Sequence, residues 1–280
     1  AVHWIKAKGY DHLNVICPSY FSLINNCQKE NIRYVKYEMG YKEGQINGIS
    51  AKDFENEVFW ITNPFYSLGC YLDNNSIKLI KDLLENNIVI VDECVAQKGK
   101  ELSRLFGSHS NFIGIYAPHK SVCINGIKFS ILVFNTEDEP FFDQSIDFLC
   151  GGINIASLSA INNYLNGNYE LYQQEFQKEI DNTHNWRGEI CKKMQGAYYE
   201  NRSRHYLTGI CFPEIPYELG KNKEILWEII DNTGGAFIPG TLNNYPKETG
   251  FSFRVNMARD SAQFRATMIR LLLFLSNMSF

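Results

Sequence analysis

Short, continuously apolar runs alternate with stretches of helical spacing through the first half of the chain. Leu13–Cys17 predicts a strand ended by Pro18-Ser19-Tyr20, Phe21–Glu30 a helix, and Ile32–Tyr37 an extended segment. Val58–Thr62 is an apolar run stopped by Asn63-Pro64, and Ile77, Ile80, Leu83 and Leu84 give Ser76–Asn86 a helical face. Ile88–Val91 runs straight into Asp92-Glu93. Lys98–Phe106 predicts a further, weakly patterned helix, and Phe112–Tyr116 and Phe129–Phe134 further strands. Strands without apolar–polar alternation, separated by helices, predict an α/β fold: a mainly parallel sheet with helices on both faces.

The second half has a different rhythm. Phe141 to Gln195 is helical in pattern, broken at Gly151-Gly152 and Asn166-Gly167-Asn168. Leu207–Phe212 then predicts a strand, Lys223–Asn232 a helix, Gly234–Gly240 a strand and turn, Phe251–Met257 a strand, and Ser261–Ser276 a closing helix. The expected organisation is a large domain over residues 1–150, linking helices over 151–195, and a smaller C-terminal α+β domain over 196–280.

Composition narrows the function classes. The 280 residues are 45% hydrophobic and 21% charged, ordinary values for a globular protein with a buried core. Lys and Arg number 27 against 31 Asp and Glu, a net charge of -4 that provides no basic footprint for nucleic acid. Leu271–Leu275 is too short an apolar run to span a bilayer, and Ala1–Gly9 lacks a signal-peptide pattern, so neither a membrane nor a secretory setting is expected. The eight cysteines form no C-x-x-C and sit among apolar neighbours, which points to small buried hydrophobes in a reducing cytoplasm. The six histidines show no metal-ligand spacing, and no metal is expected.

Ligands of open α/β sheets gather beyond the carboxyl ends of the strands. There the chain places Asn63 after one apolar run, Asp92 after another, and Lys120 shortly after Phe112–Tyr116. An amide, an acid and an amine at one sheet edge suit a pyridine aldehyde cofactor. The lysine can form a Schiff base with the aldehyde, the aspartate can keep the ring nitrogen protonated, and the asparagine can donate to the phenolic oxygen.

Five segments then resemble, in order, the class I/II aminotransferases, which depend on pyridoxal 5′-phosphate (PLP) and have the fold type I architecture. Asn63-Pro64-Phe65-Tyr66-Ser67-Leu68-Gly69 is similar to their N-P-x-x-x-x-G turn, and Val89-Ile90-Val91-Asp92-Glu93 to their strand ending in the pyridine-binding acid. His119-Lys120 with Gly126 and Lys128 is similar to their S-K-x-x-x-x-x-G-x-R segment. Pro18-Ser19-Tyr20 resembles the turn whose aromatic lies near the cofactor ring. Ala236–Gly240 followed by Phe253-Arg254-Val255 resembles the small domain that holds the substrate carboxylate.

The resemblance implies a PLP-dependent aminotransferase acting on an α-amino acid and a 2-oxo acid, as a cytoplasmic homodimer. In it Lys120 is the Schiff-base lysine and general base. Tyr20, Asn63, Asp92 and Lys128 contact the cofactor, and Arg254 clamps the substrate carboxylate. Arg259 competes for that last role, but strand alternation sets Arg254 opposite Phe253 and Val255, which favours it. His119 is expected to be structural, and Gly151-Gly152 a helix break near a segment that in the family reaches a partner's phosphate.

The chain also departs from the family. Val95 stands where a tyrosine is usual, Lys128 replaces an arginine, and Ala117 and His119 replace hydroxyl residues. The family's phosphate turn and N-terminal arm would precede Ala1, so a fragment lacking them is expected. A PLP-dependent decarboxylase or lyase of the same fold, and a non-catalytic relative that binds PLP or an amino acid, are the alternative readings.

Overall fold

The computed structural model describes residues 1–40, 44–121, 129–150, 155–167, 169–193, 204–258 and 262–277. The N-terminal part builds one seven-stranded sheet from β1 (His12–Cys17), β2 (Arg33–Gly40), β3 (Gln45–Ile46), β4 (Val58–Thr62), β5 (Ile88–Glu93), β6 (Phe112–Tyr116) and β7 (Ile131–Val133). Their order is β3-β2-β1-β4-β5-β6-β7. The five strands from β2 to β6 are parallel, whereas β3 and β7 pair antiparallel at the two edges.

Strand pleating sorts the apolar side chains onto two faces. Phe59, Ile61, Val89, Val91 and Phe112 form one core with Ile80, Leu83 and Leu84 of helix α3 (Asn74–Leu84). Leu13, Val15, Val58, Trp60, Ile90 and Ile113 form the other. That second core takes Trp4 and Ile5 from α1 (Val2–Ala7) and Leu23 and Cys27 from α2 (Phe21–Glu30). Both faces are therefore covered, which explains why these strands read as unbroken apolar runs. Asp73 caps α3 by accepting from the Ser76 N–H at 2.8 Å, an interaction that contributes roughly 1 kcal/mol.

The segment expected to be helical from Lys98 contains only the short α4 (Ser103–Phe106). Gly99 takes a positive φ of 87°, and the Glu93 carboxylate accepts from the Ser103 N–H at 3.0 Å and from the Leu102 N–H, so the helix starts where that buried acid lies. Helices α5 (Glu139–Cys150), α6 (Ile155–Asn166) and α7 (Tyr169–Lys193) follow. The expected break at Gly151-Gly152 lies outside the described residues.

The C-terminal part forms a second, antiparallel sheet in the order β8 (Leu207–Phe212), β10 (Phe251–Asn256), β9 (Ile238–Pro239). Helices α8 (Lys223–Thr233) and α9 (Ala262–Ser276) pack on it through Ile229, Met268, Leu271 and Leu275. The two sheets share side chains: Val95 joins the core of the small sheet, while Cys211 and Tyr245 join that of the large one.

Candidate active site

Sheet order places the site. Between β1 and β4 the strand order reverses, opening a crevice at their carboxyl ends where α/β proteins take up ligands. Tyr20 follows β1, and the turn of residues 63–69 follows β4. Asp92 sits opposite Thr62 in the β4–β5 register, and Lys120 lies in the turn after β6. From the other sheet, β10 brings Arg254 and Asn256, and β8 brings Leu207 after Tyr206.

These residues meet in one cavity of about 270 Å³, lined by Tyr20, Thr62, Tyr66, Asp92, Cys94, Val95, Lys120, Tyr206, Leu207, Arg254 and Asn256. Four sequence-predicted residues, Tyr20, Asp92, Lys120 and Arg254, are thereby brought together. Strand alternation holds at Arg254: Phe253 and Val255 are buried on the opposite face, whereas Arg254 and Asn256 are both half-buried. Lys128 and Arg259 lie outside the described residues.

Asn63 is placed differently from the expectation. Its side chain does not line the cavity but points into the protein, where Nδ2 donates to the Lys100 carbonyl at 3.1 Å and to Glu93 Oε1 at 3.5 Å. Its Oδ1 accepts from the Leu72 N–H at 3.4 Å. The residue reaching the cavity from this turn is Tyr66, whose hydroxyl accepts from Arg254 Nη1 at 2.6 Å and whose ring lies 5.2 Å from that of Tyr20. Burial pushes the Tyr66 phenol above its usual range. It therefore remains neutral and leaves the guanidinium its full charge.

The cavity residues are held from behind. Asp92 Oδ1 accepts from the Cys94 N–H at 3.0 Å, which fixes the carboxylate at the strand end. The Lys120 turn closes through Lys120 N–H to the Ala117 carbonyl at 3.0 Å and Ser121 Oγ to the Pro118 carbonyl at 2.9 Å. His119 is buried, with Nδ1 2.8 Å from the Phe129 carbonyl oxygen, which ties the turn to the next segment.

Val95 packs into the small-sheet core, and its carbonyl lies 2.8 Å from Nε2 of the fully buried His205. The neutral His205 ring donates from Nε2 there and accepts the Leu207 N–H at Nδ1, 3.0 Å away. Burial lowers its pKa, in keeping with that neutral state.

Two cations, Lys120 and Arg254, line this cavity. Among the described residues no carboxylate pairs with Lys120 or Arg254. The buried Thr62 Oγ1 on the cavity wall has no hydrogen-bond partner among the described residues. Half-buried positive charge and an unsatisfied hydroxyl call for an anionic, hydrogen-bonding ligand.

Of the lining residues the sequence did not single out, Asn256 was within reach of the alternation that favoured Arg254, two residues along the same strand face. Tyr66 and Thr62 carried no such pattern, being one aromatic and one hydroxyl beside an asparagine–proline pair.

No family model matches the chain. A histidinol-phosphate aminotransferase from Clostridium botulinum (strain 657 / Type Ba4) is 29% identical over 164 residues, covering 54% of this chain and 44% of that relative, so the match spans less than half of the relative's length. Among solved structures, the PLP-bound C–S lyase of Staphylococcus hominis superposes with a TM-score of 0.80 at 16% identity, covering 100% of this chain and 76% of its own. A PLP-dependent aminotransferase from Streptococcus suis 89-1591 gives a TM-score of 0.79 at 12% identity, covering 97% and 72%. Cystalysin from Treponema denticola, whose structure contains a pyridoxal 5′-phosphate cofactor, gives 0.76 at 18%, covering 96% and 71%. The chain thus shares the fold type I architecture of these PLP-dependent structures.

Proposed function

We propose that this chain binds PLP and acts on an α-amino acid, with amino-group transfer to a 2-oxo acid as the leading reaction. The observation that carries the reading is the convergence of Lys120, Asp92 and Arg254 in one cavity in which neither cation has a carboxylate partner among the described residues. The donor set fits the cofactor: an amine for its aldehyde, a carboxylate for its ring nitrogen, and aromatic Tyr20 for its ring.

When bound, PLP supplies an electrophilic carbonyl and an electron-withdrawing pyridinium ring. Lys120 Nζ would hold the cofactor's aldehyde, and it would take the proton from the substrate α-carbon and return one, as a general base and acid. Asp92, held by the Cys94 N–H, keeps the ring nitrogen protonated. Arg254 holds the substrate carboxylate and so fixes which α-carbon bond faces the base. Lys128 is the proposed phosphate cation. Asn63, engaged with Glu93, Lys100 and Leu72, serves the turn.

A C–S lyase reaction is the second reading, favoured by the Staphylococcus hominis C–S lyase that covers the whole chain. A cytoplasmic homodimer belongs to the same proposal, and the exposure of Ile155, Leu158 and Leu171 supports an assembly that covers these side chains.

The test is to incubate the chain with PLP, reduce it with borohydride and map the labelled peptide. Label on Lys120, absent from Lys120→Ala, is expected. Absence of label from folded wild type would overturn the reading. Release of a thiol and a 2-oxo acid from a cysteine S-conjugate, with no acceptor present, would select the lyase.

A further inference from the structure

The Tyr66 hydroxyl is the hydrogen-bond partner of Arg254 that the structure gives, 188 positions away along the chain. Tyr66 is itself fixed. Its turn is closed by Phe65 N–H to the Cys70 carbonyl at 2.8 Å and by Leu68 N–H to the Phe65 carbonyl at 3.1 Å. The next residue, Ser67, has its carbonyl held by Tyr245 Oη at 2.8 Å. The Tyr66 ring is 7% exposed and packs against Tyr20, so the hydroxyl has little freedom to move.

A long arginine side chain loses rotamer freedom when it binds a carboxylate, and a partner that restrains it beforehand lowers that cost. A carboxylate in place of Tyr66 would restrain the guanidinium too, but would neutralise it and compete with an anionic substrate. A neutral phenol at Nη1 restrains it while leaving its charge, and its remaining N–H groups, for a bidentate partner.

We propose that Tyr66 is a positioning residue that presents Arg254 to the carboxylate of the substrate, and so contributes to selection of α-amino acids over amines that lack a carboxylate. The inference rests on the proposed function for the identity of the substrate. The tie itself, however, is a property of the chain without cofactor.

Two measurements on the full chain test it. In the first, PLP-loaded wild type, Tyr66→Phe and Arg254→Ala are titrated with L-alanine and with ethylamine, and binding is followed by the cofactor's absorbance. The amine's affinity is the internal reference within each protein. Arg254→Ala should abolish the preference for alanine, and Tyr66→Phe should reduce it by roughly three- to tenfold, the net scale of one ordinary hydrogen bond. In the second, without cofactor, phenylglyoxal modification of Arg254 is timed by peptide mass mapping. Tyr66→Phe, which keeps the ring against Tyr20, should react several-fold faster than wild type.

Unchanged preference in Tyr66→Phe would overturn the proposal, as would an unchanged modification rate. A wild type that never loads PLP would overturn the proposed function instead, and the modification rate would still decide whether Tyr66 restrains Arg254.

Discussion

Tyr245 Oη donates to the carbonyl oxygen of Ser67 at 2.8 Å, joining residues 178 positions apart. Tyr245 is 2% exposed and packs in the core of the large sheet, so its bond lies out of reach of water. Tyr245→Phe would keep the packing and leave the Ser67 carbonyl unpaired. It should destabilise the chain by about 1–3 kcal/mol in urea unfolding, with the slope of the transition preserved.

Glu93 stands beside Asp92 but has a different task. Its carboxylate accepts from Leu102 N–H, from Ser103 N–H and Oγ, and from Asn63 Nδ2, and the residue is fully buried. Burial raises its pKa and outweighs those donors. Glu93→Gln would turn an amide donor toward groups that are themselves donors. A loss of about 2–3 kcal/mol is expected in chemical denaturation.

Asp92→Asn separates chemistry from structure. The amide oxygen can still accept from the Cys94 N–H, so the midpoint of thermal unfolding should change little. Without a charge for the pyridinium, initial rates on the preferred amino acid should fall about 100-fold or more. Equal rates in the two proteins would remove Asp92 from the proposed chemistry.

Acid should weaken the fold through His184. Its Nε2 lies 2.9 Å from the His205 carbonyl, and burial, helped by the Arg187 charge, lowers its pKa to about 4. The unfolded chain then binds more protons than the folded one between that value and the ordinary 6.5. Stability therefore falls as pH drops through this window, by about 3 kcal/mol at most from this residue. Comparing wild type with His184→Gln across the same pH range isolates the contribution, and parallel curves would show that His184 does not titrate this way.

The strands of the large sheet were legible because burial on both faces leaves continuous apolar runs. Val58–Thr62 and Phe112–Tyr116 appear with the expected bounds. β7 falls within the expected Phe129–Phe134, whereas β3, two residues long, was too short to carry a pattern, and the antiparallel pairing of these edges has no local signal. In the site, Asp92 and Lys120 were legible because they follow strands in sequence. Arg254 was legible because alternation marks its face. The inward turn of Asn63 depends on Glu93 and Lys100, 30 and 37 residues away, and no local pattern encodes such distant partners. The tie between Tyr66 and Arg254 was hidden for the same reason.

The strand order of the large sheet has a consequence for the timing of synthesis. A ribosome that has released β1 to β6 and the turn that follows has already delivered Tyr20, Tyr66, Asp92 and Lys120, yet β10 is still to come. Until Arg254 emerges, the crevice lacks one wall and the Tyr66 hydroxyl lacks its guanidinium donor. A nascent chain can assemble the parallel strands early through contacts between neighbouring segments, but ligand capture must await the late strand. Recognition is thus among the last properties this molecule acquires as it is made.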